Sequence, residues 1–159
     1  MSNVHAISAM QLTQLIPLSV LQHIFKELFQ VDDNDMVLSC YNIMLGIRDI
    51  NIKDYIAMTM IYILRYKYAV YDISRDIHLT NMEIAIAAMI LGAKMVVDQP
   101  YYYNEVFAKK AYLSTNKVCL NEIEFCKRIK FDFCISPEEY EIAHGIIDTV
   151  IRTTCVLTT

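Results

Sequence analysis

Ten consecutive residues, Ile84 to Ala93 (IAIAAMILGA), carry no charge and no polar side chain. Thr80 followed by Glu83 forms a capping box in front of them, so the run reads as a helix with a defined start, and Pro100 marks its exit. A helix that is apolar around its whole circumference has no side to turn to water. The run is also far short of the roughly 18 residues that a membrane span requires. Its cover must therefore be protein, which demands several other helices packed around it. One residue sits awkwardly in this scheme: Lys94 follows directly on the run.

Further helices can be read on both sides. Leu18, Leu21, Ile24 and Leu28 recur at helical spacing after Pro17, and the acidic DDND at 32–35 ends that segment. Residues 35–48 are apolar around most of the circumference apart from Asn42 and Arg48, which predicts a core helix. Asn51 with Asp54 resembles an N-cap and a first-turn carboxylate in front of DYIAMTMIYILRY, whose β-branched and tyrosine residues would also suit a strand. An ambiguous connector, KYAVYDISRDIHL, leads to the apolar helix. After it come a short helix capped by Asn104, a longer one capped by Ser114, and a last one with Ser136 as cap, Pro137 at the first position and Glu139 closing the box. Seven helices in one all-α domain over 1–159 result, with 1–16 a partly flexible N-terminal segment and TTCVLTT a disordered tail.

Composition narrows the function. Hydrophobic residues make up 55 % of the chain, above the roughly 45–50 % of ordinary soluble domains, which suggests a surface meant to be covered. A net charge of −4 gives no basic footprint, so no direct nucleic-acid ligand is expected. The five cysteines form no C-x-x-C pair, and the N-terminus lacks the basic region of a signal peptide. A reducing intracellular setting, cytoplasm or nucleus, is expected, with no membrane anchor. His5, His23, His78 and His144 are scattered, and neither a glycine-rich phosphate loop nor a nucleophile elbow is present. No catalytic residue, metal or cofactor is expected. Met44, Met58, Met60 and Met89 read as core filler, whereas Met95 adjoins the lysine. Tyr101, Tyr102 and Tyr103 read as a loop packing its rings on neighbouring helices.

From Ala87 to Tyr140 the chain resembles the cyclin box of the P-type and U-type cyclins, the group that includes the fungal phosphate-pathway cyclins. The matching residues are Ala93, Lys94 and Asp98, then Tyr102, Asn104, Ala108 and Lys109, then Glu122, Glu124, Phe125, Phe131 and Asp132, and finally Ser136 with Pro137. Upstream, YNIMLGIR and IYILRY fall where the first two box helices belong. The resemblance implies a single five-helix cyclin box over 36–135, flanked by an N-terminal helix within 17–35 and a C-terminal helix and tail over 136–159.

It also implies a function. A cyclin is a non-catalytic regulatory subunit that binds and activates a cyclin-dependent kinase, gripping the kinase C-helix. By that correspondence Lys94 and Glu122 form the polar centre of the interface, and Leu91, Met95, Phe131 and Phe133 line an apolar groove around it. The alternative is a cyclin-fold adaptor, related to transcription-factor scaffolds, that binds partners without activating a kinase. Cyclins usually carry an arginine in the first box helix paired with an aspartate late in the second; here those places hold Met44 and Leu64. Replacing both partners by apolar residues leaves no buried unpaired charge, but removes support for substrate docking through that helix. Independently of the resemblance, Lys94 also reads as a helix-end lysine whose stem lies on the core while its ammonium reaches water, and Glu122 as part of a solvated face on which Glu124 pairs with Arg128.

Overall fold

The computed structural model describes residues 16–47, 50–69, 78–96 and 103–157. Within them lie seven helices: α1 Leu18–Phe29, α2 Asn34–Leu45, α3 Ile52–Tyr68, α4 Asn81–Val96, α5 Tyr103–Lys110, α6 Thr115–Arg128 and α7 Pro137–Leu157. No strand occurs among the described residues, so the segment 54–66 that also suited a strand is helical. No described helix is long and apolar enough to cross a membrane. Arg48, Asp98, Pro100, Tyr101, Tyr102 and most of the 67–79 connector lie outside the described residues, as do residues 1–15.

The helix starts follow from local chemistry. The Thr80 hydroxyl accepts from Glu83 N–H at 3.2 Å while the Glu83 carboxylate accepts from Thr80 N–H at 3.0 Å, and Ser136 with Glu139 repeats the reciprocal pattern at 3.1 and 3.2 Å. Asn51 and Ser114 accept the Asp54 and Lys117 N–H groups at 3.1 Å each. One start was hidden in the acidic run: Asp33 of DDND caps α2 by accepting from Met36 N–H.

α4 is the centre of the molecule. Every residue from Ile84 to Ala93 is buried, and the helix is packed by α3, α6, α5 and α2. α3 comes closest, with its first turns beside the last turns of α4. There Gly92 faces Tyr55, Met58 and Thr59, and a Cβ added at Gly92 would lie 3.3–3.5 Å from those side chains. Ala85, Ala88 and Gly92 share one stripe of α4, so small residues set this close approach. The buried Tyr55 hydroxyl donates to Met89 O at 2.8 Å, and the Thr59 hydroxyl donates to Tyr55 O at 2.9 Å, which satisfies both buried polar groups. α7 and α1 cover the far side of α3.

Two expectations need correction. α2 is not buried all round: Met36, Val37, Cys40, Ile43 and Met44 face the core, but Leu38 and Leu45 stand exposed on the opposite side. The helices that pack α2, chiefly α1 and then α4, lie on its core flank. The tail is not wholly disordered either, since α7 continues as helix to Leu157. Thr153 and Thr154 bond back to the Thr149 and Val150 carbonyls one turn earlier, which satisfies their hydroxyls within the helix.

Replacing Gly92 by leucine puts a whole side chain against Tyr55, Met58 and Thr59. Chemical denaturation should show a loss of about 1–3 kcal/mol, the usual cost of overpacking, whereas an unchanged midpoint would contradict the close α3–α4 approach.

Candidate functional site

α4 leaves the core at its last turn. Ala93 is buried, and Lys94 and Met95 emerge beside α6. Lys94 Nζ lies 2.7 Å from Glu122 Oε1, and the second Glu122 oxygen accepts from the Asn104 amide. One carboxylate on α6 therefore ties together the end of α4 and the beginning of α5. The carboxylate is the more covered partner, with its side chain 14 % exposed against 39 % for the lysine. The ammonium thus keeps open solvent on one side while its stem covers apolar surface. The expected convergence of Lys94 and Glu122 is present. Asn104, expected as the cap of α5, sits inside its first turn and serves Glu122 instead.

Cys126, one turn further along α6, has its thiol pushed up to about 11, first by burial and then by the Glu122 charge, against the pull of Lys94. It is a protonated packing residue at neutral pH. Met95 is half exposed beside the lysine. Leu91 is buried and belongs to the core rather than to any open groove. On α6, Glu124 pairs with Lys127 at 3.4 Å, while the Arg128 guanidinium lies over the Tyr66 ring at 4.2 Å.

Phe131 and Phe133 follow α6 in a segment with unusual backbone. Lys130 and Phe131 both have left-handed φ, 57° and 55°. That region costs a residue bearing a side chain about 1–2 kcal/mol. The turn is closed by Phe131 N–H bonding to Cys126 O at 2.8 Å and Asp132 N–H to Ile129 O at 3.2 Å. It leaves Phe131 60 % exposed, its ring packed edge-on against Phe133 with ring centres 6.1 Å apart.

Two residues of α3, neither singled out in the sequence, hold this segment. The Tyr62 hydroxyl donates to Phe133 O at 2.7 Å; Arg65 donates to Asp132 O at 2.7 Å, to Cys134 O at 2.5 Å and to the Glu139 carboxylate at 3.0 Å. Three successive carbonyls are thus clamped from one helix. Burial pushes the Tyr62 phenol up to about 12, so it keeps the proton it donates. The signal was of the same kind as Lys94: a charged residue in an otherwise apolar stretch, IYILRY.

A second surface feature lies on the far side of α3. Met60, Ile61, Leu64, Tyr68, Ile142 and Ile146 line an apolar groove of about 330 Å³ between α3 and α7, with Arg65 and Glu139 at one end. Leu64 is part of that groove, and Met44 is core. No group of three His, Cys, Asp or Glu able to hold a metal occurs among the described residues.

No family model, no curated protein and no solved structure matches this chain. The candidate site therefore stands on its geometry.

Two of the carboxylates that lock helices together titrate away from their ordinary value. Burial works against the charge of Glu83, but Thr80, Asn121 and Lys117 outweigh it and hold the group below 4.5. Glu139 is held below 4.5 first by the Ser136 N–H and then by Arg65. A carboxylate depressed in the folded state contributes stability above its unfolded value and loses it as pH falls through the folded one. Stability measured by denaturant should accordingly drop as pH falls below about 4.5, with a shallower drop in a Glu83→Gln, Glu139→Gln double variant. An identical pH profile for the two proteins would contradict this assignment.

Proposed function

We propose that this chain is a cyclin: a regulatory subunit that performs no chemistry and activates a cyclin-dependent kinase by holding its C-helix in the active position. The observation that carries the reading is the Lys94–Glu122 contact. The pair stands at the exit of the most buried helix, at the spacing the P-type cyclin box implies, with Met95 exposed beside the lysine. Support also comes from the order of elements. α2 to α6 supply five helices with the buried α4 third among them, and α1 and α7 supply the flanking pair. Leu91, buried beneath this surface, belongs to its scaffold, and Met95 with Phe131 and Phe133 forms the apolar part of the contact.

The mechanism follows from what the kinase needs. Its C-helix carries a glutamate that must pair with the lysine holding the ATP phosphates, and in an isolated kinase the helix can swing outward. A partner that binds only the inward position shifts the population toward it by as much as its differential affinity for the two states. Lys94 and Glu122 offer a donor and an acceptor for the polar end of such a helix, and the flanking apolar side chains supply buried area around them.

The second reading is a cyclin-fold adaptor. The α3–α7 groove favours it, because Tyr68 at the end of α3 and Ile142 and Ile146 on α7 form another exposed apolar surface. The two readings differ in outcome: the cyclin raises the phosphorylation rate of a bound kinase, and the adaptor binds without changing it.

The test uses purified cyclin-dependent kinase catalytic subunits from the source organism, titrated against the wild-type protein and Lys94→Glu. Reversing this charge sets two carboxylates side by side and should weaken the complex by about 30-fold or more, the scale of an interface hot spot, with a matching loss of kinase activation. A kinase equally bound and equally active with Lys94→Glu would remove the site assignment; tight binding with no activation would favour the adaptor.

A further inference from the structure

We infer that Tyr62 and Arg65 are positioning residues for the partner-binding surface, acting through Phe131 without touching the partner themselves; the inference rests on the kinase-binding reading above. Lys130 and Phe131 are consecutive left-handed residues, a conformation that a chain with side chains leaves unless something holds it. The local turn bonds from Phe131 and Asp132 N–H to Cys126 and Ile129 hold one side of the segment. The other side is held from α3, where Arg65 takes the carbonyls of Asp132 and Cys134, and Tyr62 takes that of Phe133 between them.

Both α3 side chains are themselves fixed. Tyr62 is fully buried, and the Arg65 guanidinium is anchored by Glu139, whose carboxylate also accepts the Ser136 N–H that starts α7. The outcome is an aromatic ring, Phe131, standing in solvent on the edge of Phe133 with its backbone pinned. A ring fixed before the encounter loses less conformational freedom on binding than one on a loose loop. A lysine would serve this site less well, because Arg65 reaches two carbonyls and a carboxylate from two nitrogens held apart in a planar fork, whereas an ammonium donates from a single point.

The test measures the affinity of the kinase subunit retained by wild-type protein for Tyr62→Phe, Arg65→Lys and Phe131→Ala, and for the two α3 substitutions combined with Phe131→Ala. Circular dichroism first establishes that each variant is folded at the assay temperature. Tyr62→Phe keeps the ring and removes only the hydroxyl, so it carries the test even where Arg65→Lys fails to fold. Each α3 substitution should weaken binding by about threefold to tenfold, the scale of one freed side chain, and should have no further effect once Phe131 is alanine. A loss that persists undiminished in the Phe131→Ala background, wild-type affinity in Tyr62→Phe, or no effect of Phe131→Ala alone would overturn the positioning role. Binding of no kinase by the wild type would overturn the functional reading and this inference with it.

Discussion

Everything in this fold answers to the all-round burial of α4. Ten residues without a polar side chain must lose their water on every side, and the four helices that pack α4 do this. The small stripe of Ala85, Ala88 and Gly92 lets α3 approach most closely, and the Tyr55 hydroxyl ties the two helices at Met89 O. The same burial defines where a site arises. α4 must emerge somewhere, and at that point the first charged residue after its apolar run, Lys94, meets Glu122, the α6 carboxylate that also fastens α5.

α3 plays two parts at once. One face packs against α4, and its last two turns send Tyr62 and Arg65 to the carbonyls of residues 132–134. Arg65 also reaches Glu139, so the end of α6, the strained segment after it and the start of α7 share one hydrogen-bonded network. The net energy of each such bond is modest, about 1 kcal/mol for neutral groups and more for charged ones. Together they suffice to hold two left-handed residues that would otherwise relax.

Much of this was legible in the sequence because local rules govern it. Capping residues at Asn51, Thr80, Ser114 and Ser136 mark helix starts through hydrogen bonds within four residues, and the apolar run of α4 announces its own burial. What stayed hidden depends on residues far apart in the chain. α2 has an apolar composition on both flanks, yet only the neighbours decide which flank is covered, and Leu38 and Leu45 end up outside. Tyr62 and Arg65 meet their partners about 70 positions later, so no spacing rule reports them. Asn104 had the composition of a cap, but Glu122, on another helix, claims its amide. The Lys94–Glu122 pair was within reach only because the P-type cyclin resemblance supplied the spacing.

The central claim is that a kinase covers Lys94, Met95 and Phe131. Hydroxyl-radical footprinting of the complex with the cyclin-dependent kinase subunit reads this directly, since Met95, Phe131, Tyr68 and Ile142 are all exposed in the free chain and differ in where they lie. The account predicts that binding protects Met95 and Phe131 from oxidation and leaves Tyr68 and Ile142 as reactive as before. Protection confined to Tyr68 and Ile142, with Met95 and Phe131 still fully reactive, would contradict it and move the interface to the α3–α7 groove.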